Sequence, residues 1–416
     1  MTSLRSPASR WDSSPAESAA TKRRYYRGRN ALRALNIEEL RGIARRRTPS
    51  VVWEYVDGGA EDELALRRNR QAFDAYRFVP RTLVNTDGRH CRTTLFGAPL
   101  EMPVLIAPTG NNGMLRRRGD EMLAAAAGHA GIPFCLSTVA SARASAVQGL
   151  AQRLWMQLYV FKEPRITEDV IARAEAVDCE ALVFTTDANV FGAREWDRRS
   201  FRAPARLTVR SLLDAACHPR WLADYAFHGF PHFVSIADFL PPAARNARAG
   251  VTIIPTLFAP TIDWDDVARI RDRWKRRLLI KGVLAAEDAE RALKLGCEGI
   301  VLTNHGGRQL DTSVAPFEVL PEIAAAFKGR LAILIDSGFR RGSDIAKAVA
   351  LGADAVLVGR ATLYGLAAGG EAGASHALGI LKSELLRVLG QLGCRSLADL
   401  SPAMLKAGHP TASDPA

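Results

Sequence analysis

Gly299-Ile300-Val301-Leu302-Thr303-Asn304-His305-Gly306-Gly307-Arg308-Gln309-Leu310-Asp311 joins a short apolar, β-rich run to a polar turn. The neighbouring segments carry helical spacing, so the run predicts a buried parallel strand with the turn at its end. A His and an Arg three residues apart, separated by two glycines, place a titratable base beside a permanent cation where a ligand can approach the backbone closely. That pairing suits a small carboxylate substrate. The plain alternative is an ordinary turn with a satisfied histidine, and residues 305–308 alone do not decide between them.

Working outward, the same strand-then-helix rhythm recurs. Strands are expected at 104–108, 134–137, 155–160, 181–187, 278–282, 300–304, 332–336 and 355–359. Helix-like segments lie between most of them, such as 288–295 ended by Gly296 and 343–351 ended by Gly352. A terminal helix carries Leu378, Leu381, Leu385, Leu389 and Leu392 on one face. The pattern predicts an α/β fold, a (β/α)8 TIM barrel with N-terminal helices and a long insertion after strand 4. A doubly wound open sheet is the alternative, but no GxGxxG follows the first strand. Ahead of the barrel, Asn36 caps a helix with Glu38 and Glu39 in its first turn, Pro49 opens a second helix, and residues 58–63 form a turn.

A chain of 416 residues, 48% of them hydrophobic, can bury a large core. Six cysteines without CxxC or metal spacing predict free, mostly buried thiols, a reducing compartment and no metal site. The net charge of +12 is concentrated at the front, where residues 1–48 hold twelve Lys or Arg against four acids. Residues 1–35 are expected to be a basic, disordered extension, and residues 406–416 a tail after a barrel unit spanning 36–405. The run from Lys22 to Arg27 could touch anionic lipid or nucleic acid, but a solvated tail is the favoured reading and no nucleic-acid partner is expected. No apolar run approaches the ~18 to 20 residues of a membrane span, and the front lacks the apolar core of a secretory signal. A cytoplasmic protein is expected, with a peripheral place on the inner face of the cell membrane as an option.

The insertion, roughly residues 200–262, mixes Trp221, Tyr225, Phe227, Phe230, Phe233, Phe239 and Leu240 with Arg202, Arg206, Arg210, Arg220, Arg245 and Arg248. An interfacial membrane contact is the favoured reading. A lid or subunit contact that buries the aromatics is the competitor.

Polar residues gather at the predicted strand ends: Pro108-Thr109-Gly110, Ser137-Thr138, Gln157 with Tyr159, Thr185 with Asp187, Lys281, His305 with Arg308, Asp336 with Gly338 and Arg340, and Gly359-Arg360. A ring of them points to a site in a way that one does not. The last two sets follow strands 7 and 8, where barrels commonly hold a phosphate, so a phosphorylated cofactor is expected.

These residues carry a resemblance. The segment 304–311, Ile106-Ala107-Pro108-Thr109, Gln157-Leu158-Tyr159-Val160, Gly59-Ala60-Glu61-Asp62-Glu63 and Leu351-Gly352-Ala353 resemble the FMN-dependent 2-hydroxy-acid oxidase and dehydrogenase family, over about residues 36–405. Pro108-Thr109-Gly110, Cys217-His218-Pro219-Arg220-Trp221 and the segment 334–344 most resemble its membrane-associated (S)-mandelate dehydrogenases. The resemblance implies FMN as cofactor, oxidation of an (S)-2-hydroxy acid to the 2-keto acid, electrons passed to a membrane quinone or another acceptor, and a homotetramer; an L-lactate dehydrogenase or an oxygen-using oxidase is the alternative, and a non-catalytic flavin-binding barrel is disfavoured because the base and the carboxylate clamp are present. The resemblance also implies His305 as the active-site base supported by Asp187, Arg308 and Tyr55 on the substrate carboxylate, Tyr159 on its hydroxyl, and Arg194 assisting. Lys281 would lie by the N1 and O2 edge of the flavin. Pro108, Thr109, Gly110, Ser137, Gln157, Thr185 and Thr303 would contact the ring or its chain, and Asp336, Gly338, Arg340, Gly359 and Arg360 the phosphate end. Gly110 stands where many family oxidases carry Ala, and Val139 where glycolate oxidases carry Trp. Both enlarge the space beside the substrate side chain, so a bulky or aryl acid is expected rather than glycolate. The family's Asn-Arg-Phe after strand 4 is absent in register, replaced by residues 197–202.

Overall fold

Eight parallel strands close into a barrel in this computed structural model, which describes residues 26–203, 206–240, 245, 254 and 256–408. In chain order they are β1 (Val104–Ile106), β2 (Phe134–Leu136), β3 (Leu154–Leu158), β4 (Ala181–Thr185), β5 (Arg277–Val283), β6 (Gly299–Leu302), β7 (Ala332–Ile335) and β8 (Ala355–Val358). Each strand pairs with the next, and β8 pairs with β1. Side chains alternate as strand geometry requires. Leu105, Cys135, Trp155, Val183, Leu279, Val301, Leu334 and Leu357 fill the barrel. Ile106, Leu136, Met156, Phe184, Ile280, Leu302, Ile335 and Val358 join the larger apolar cluster that includes the surrounding helices.

Every expected strand is present, but most stop one or two residues early. The ladders end at residues 106, 136, 158, 185, 302, 335 and 358, leaving Thr109, Ser137, Tyr159, Asp187, Thr303, Asp336 and Gly359 just beyond them. These residues lie in the loops, not in the ladder. Strand β5 runs on to Val283, with a register shift at Gly282.

The stretch 93–100 forms an antiparallel hairpin whose Leu95 and Leu100 enter the inner core. Phe96 packs 5.9 Å from Trp155, and Arg277 donates to the Phe96 carbonyl at 2.8 Å, so the hairpin closes the N-terminal end of the barrel. Chemistry is thereby confined to the opposite end.

Helix α1 (Ile37–Arg47) is capped by Asn36, whose Oδ1 accepts from Glu39 N at 2.9 Å; α2 (Ser50–Asp57) follows Pro49, and α3 (Leu64–Gln71) follows the 58–63 turn. Ala31 and Ala34 are buried, and Leu405–Ala407 pairs with Tyr76–Phe78. The packed chain thus begins ahead of residue 36 and runs past 405. Residues 1–25, which include Lys22 to Arg24, and 409–416 of the tail lie outside the described residues.

Within the insertion, α4 (Val209–Ala216) and α5 (Pro219–His228) are followed by a short 3-10 helix at Ala237–Phe239. Residues 204–205, 241–244, 246–253 and 255, and with them Arg248, lie outside the described residues. Trp221, Tyr225, Phe233 and Leu240, expected at a membrane surface, are buried in protein; of the named aromatics Phe227 is exposed. In α5, Trp221 and Tyr225 share a face four residues apart, and that face packs inward. Helix α6 (Arg360–Leu392) buries Leu378, Leu381, Leu385, Leu389 and Leu392 as its spacing predicts, with a break at Gly370. No helix of the described residues is long and apolar enough to cross a membrane.

Candidate active site

His305, Gly306 and Gly307 all take left-handed backbone, with φ of +58°, +70° and +74°. A Cβ on Gly307 would lie 2.6 Å from Leu66 N, and one on Gly306 2.8 Å from Arg360 Nη1. The glycines therefore admit α3 and Arg360, where the sequence suggested room for a ligand. Asn304 exchanges two 2.8 Å amide hydrogen bonds with Asn69, and Asp311 Oδ1 accepts from Ala65 N at 2.9 Å in the first turn of α3. This framework turns His305 toward the cavity above the barrel.

His305 Nδ1 lies 2.9 Å from Asp187 Oδ1, so Nδ1 carries the proton and Nε2 is left as the basic nitrogen. Burial lowers the imidazole's pKa, Asp187 opposes that, and Lys281 and Arg194 reinforce it; the net shift is downward. For Asp187, burial acts upward but the neighbouring His305, through its hydrogen bond, and the Lys281 ammonium outweigh it. The pair thus holds an ionised carboxylate against a neutral base. Burial, with Asp187 nearby, raises the Tyr159 phenol, which stays a hydrogen-bond donor.

Arg308 Nη1 donates to the carbonyls of Tyr55 at 2.6 Å and Gly58 at 2.9 Å, and its guanidinium lies 5.1 Å from the Tyr55 ring centre. Tyr55 OH reaches Gly110 O at 3.4 Å. Arg194 Nε donates to Arg308 O at 3.3 Å. Gln309, not singled out by its residue type, organises this side. Its Oε1 accepts from Gly192 N at 3.1 Å and Arg194 Nη2 at 3.4 Å, and its Nε2 donates to the Asp187 carbonyl.

Lys281 is buried, with Nζ 3.4 Å from Asp336 Oδ2 and 3.3 Å from Thr303 Oγ1. Burial acts to lower its pKa, but Asp336 and Asp187 outweigh this and keep it cationic. Gln157 lies behind the cavity wall, donating to Thr185 Oγ1 at 3.1 Å and accepting from Ser137 Oγ at 3.3 Å and Thr138 N at 3.1 Å. Asp120, also missed from the sequence, accepts from Asn112 Nδ2 at 2.7 Å and Ser141 N at 2.8 Å, tying together the loops that carry Gly110 and Val139. Its burial pushes its pKa up to about 7.

One cavity of about 680 Å³ is lined by Tyr55, Pro108, Thr109, Gly110, Ser137, Val139, Tyr159, Arg194, Lys281, His305, Arg308, Asp336, Gly338, Arg340, Gly359 and Arg360. Asp187, Gln157 and Thr303 stand behind it, bonded to His305, Ser137 and Lys281, which line it, and Thr185 is bonded to Gln157. Phe191, Phe233, Ile254 and Phe258 also line it. No sequence periodicity marked them, because three belong to the returning part of the insertion and the fourth to the loop after β4.

The residues fit FMN. Thr109 Oγ1 is buried without a protein partner, a buried ammonium faces the same cavity, and Arg340 stands with Gly338 and Gly359 near the N-terminus of α6, suited to a phosphate. Arg360 lines the cavity beside them. Its guanidinium donates at 2.8 Å to each of the Val56, Gly306 and Gly58 carbonyls, and burial pushes its pKa down to about 10. Its side chain clamps α2 to the His305 loop.

Comparison with known proteins agrees with this geometry. The family described as FMN-dependent dehydrogenase matches residues 44–407. An (S)-mandelate dehydrogenase of Pseudomonas putida is 42% identical over 376 residues, 89% of this chain and 93% of that protein. An L-lactate dehydrogenase of Chromohalobacter salexigens is 40% identical over 376 residues, covering 90% and 96%. The crystal structure of the monotopic membrane protein (S)-mandelate dehydrogenase superposes with a TM-score of 0.85 at 41% identity, covering 90% of this chain and 100% of that one. A mandelate oxidase variant solved with (S)-mandelic acid gives 0.73 at 31% identity, covering 90% and 99%. With its closed barrel and cationic, flavin-sized cavity, this chain belongs to the FMN-dependent dehydrogenase family.

Proposed function

We propose that the chain oxidises an (S)-2-hydroxy acid with a bulky or aryl side chain, as in mandelate, to the 2-keto acid and passes the electrons to a membrane quinone or another acceptor. The observation that carries this reading is the 2.9 Å His305–Asp187 bond at a cavity that also holds Arg308, Tyr55 and Tyr159. Arg308 and Tyr55 hold the substrate carboxylate, and Tyr159 and Arg194 orient the C2 hydroxyl. His305 Nε2 takes a proton, and Asp187 stabilises the imidazolium that forms. FMN supplies the two-electron acceptor when bound. Lys281 holds a positive charge for its ring, Thr109, Ser137 and Thr303 serve the ring and its chain, and Arg340 with the amides near Gly338 and Gly359 serves the phosphate.

Gly110 and Val139 support a large substituent, since both line the cavity and neither carries a bulky side chain. Relatives named L-lactate dehydrogenase at 40% identity favour a second reading, a small substituent on the same chemistry. Anaerobic flavin bleaching with (S)-mandelate, L-lactate and glycolate, repeated with oxygen, tests both and separates dehydrogenase from oxidase. Absence of bleaching by any of the three in FMN-loaded protein would remove the reading.

Peripheral membrane docking is part of the proposal. Val209, Leu212 and Leu213 of α4 and Leu222 and Phe227 of α5 are exposed, with Arg210 and Arg220 beside them. Light scattering reads the assembly, for which a tetramer is proposed.

A further inference from the structure

We infer that Phe258, on the returning limb of the insertion, is the specificity-determining residue for the substrate side chain, providing an aromatic wall against which an aryl group packs. The inference rests on the 2-hydroxy-acid reading above and deepens it.

Phe258 lines the cavity together with His305, Tyr159, Gly110 and Val139. Its ring centre lies 4.6 Å from that of Tyr159 and 5.6 Å from that of Phe191, with Phe191 stacked at 14°. Phe161 braces it at 5.2 Å, edge to face. The backbone on both sides is pinned to the chain leaving β3, with Lys162 N donating to Leu257 O and Ala259 N to Val160 O, each at 2.9 Å. Phe258 is therefore a fixed wall, although it belongs to an insertion. The strap also joins it to the strand end that carries Tyr159, so the ring and the hydroxyl-orienting phenol keep a set separation.

Stacked and tilted aromatic contacts favour another ring over an aliphatic group of equal area, and a phenyl group buries more apolar surface than a methyl. Phe258 and Phe191 present that chemistry on one side of a cavity whose Gly110 and Val139 leave volume for it. A merely supporting role, in which Phe258 only props up Tyr159, makes a different prediction: every 2-hydroxy acid would suffer alike when it is removed.

The test measures kcat/KM of FMN-loaded wild type, Phe258→Ala and Phe258→Leu with (S)-mandelate and L-lactate, using a soluble dye acceptor. The expected result is a fall of about ten-fold in the mandelate-to-lactate ratio for Phe258→Ala, with Phe258→Leu between it and wild type. Equal losses for both acids overturn the inference and leave Phe258 as a prop for Tyr159. If Phe258→Ala fails to fold or to hold flavin, Phe258→Leu carries the comparison. Dissociation constants of phenylacetate and acetate, read from flavin absorbance, should then show weakening confined to phenylacetate, and equal weakening overturns the inference. A wild type that prefers lactate outright would overturn the aryl-substrate reading, whereas an unchanged ratio in the variants strikes at Phe258 alone.

Discussion

His305 Nδ1 and Asp187 Oδ1 are 2.9 Å apart although 118 residues separate them in the chain. The contact sets the tautomer of the imidazole and presents its other nitrogen as a base. It exists because β4 and β6 flank β5 in the barrel and both release their loops at the same end.

Replacing His305 by Gln removes the base and leaves a polar side chain of similar reach. FMN content and absorbance should be retained while turnover falls by ~10² to 10⁴. Rapid-reaction measurement of flavin reduction checks this, and near-normal reduction would remove His305 from its role.

The pH dependence follows from the direction of the His305 shift. The base must be neutral, and its pKa is lowered by burial, with Asp187 opposing. Activity should therefore be complete above the ordinary histidine range and be lost only as pH falls through the lowered value. Asp187→Asn removes the opposing charge, so the acid limb of kcat/KM should move to still lower pH. The rate should also drop about ten- to hundred-fold, the worth of a hydrogen bond to a charged group. An acid limb that stays in place would show that Asp187 does not act on the base.

Gly110→Ala places a Cβ 2.5 Å from Val139 Cγ2. It should reduce kcat/KM for an aryl acid by roughly ten-fold, and adding Val139→Ala should restore most of the loss, because the two residues share the same space. Independent effects in the double variant would contradict the overlap.

Leu212 and Phe227 are 54% and 84% exposed, so Leu212→Asp with Phe227→Asp should leave the fold intact and shift the protein from the membrane fraction to the supernatant. Excising the whole insertion is a poorer test. Trp221 Nε1 donates to Met114 O at 2.9 Å and Tyr225 OH to Gly113 O at 2.5 Å, holding the loop that also carries Gly110. Its removal should lower turnover as well as partitioning.

Gly307→Ala combines a φ of +74° with a Cβ 2.6 Å from Leu66 N. The left-handed strain alone is about 1 to 2 kcal/mol, and thermal unfolding should shift down by roughly 2 to 4 °C per kcal/mol. Differential scanning calorimetry of the FMN-loaded protein reads this shift.

The sequence by itself determined the barrel, because the apolar strand runs are local and recur eight times, with helix-like segments between most of them. It also located the polar strand ends, and the resemblance attached FMN chemistry to them. Local pattern could not reveal that Arg360 grips three carbonyls, or that Gln309 links Asp187 to Arg194. Nor could it show which face of α5 is buried, since Trp221 and Phe227 are equally apolar letters. Only the tertiary structure decided these points. Burial, the closing of the ring and the strap that brings Phe258 beside Tyr159 depend on contacts between residues far apart in the chain, whose geometry no short window of sequence contains.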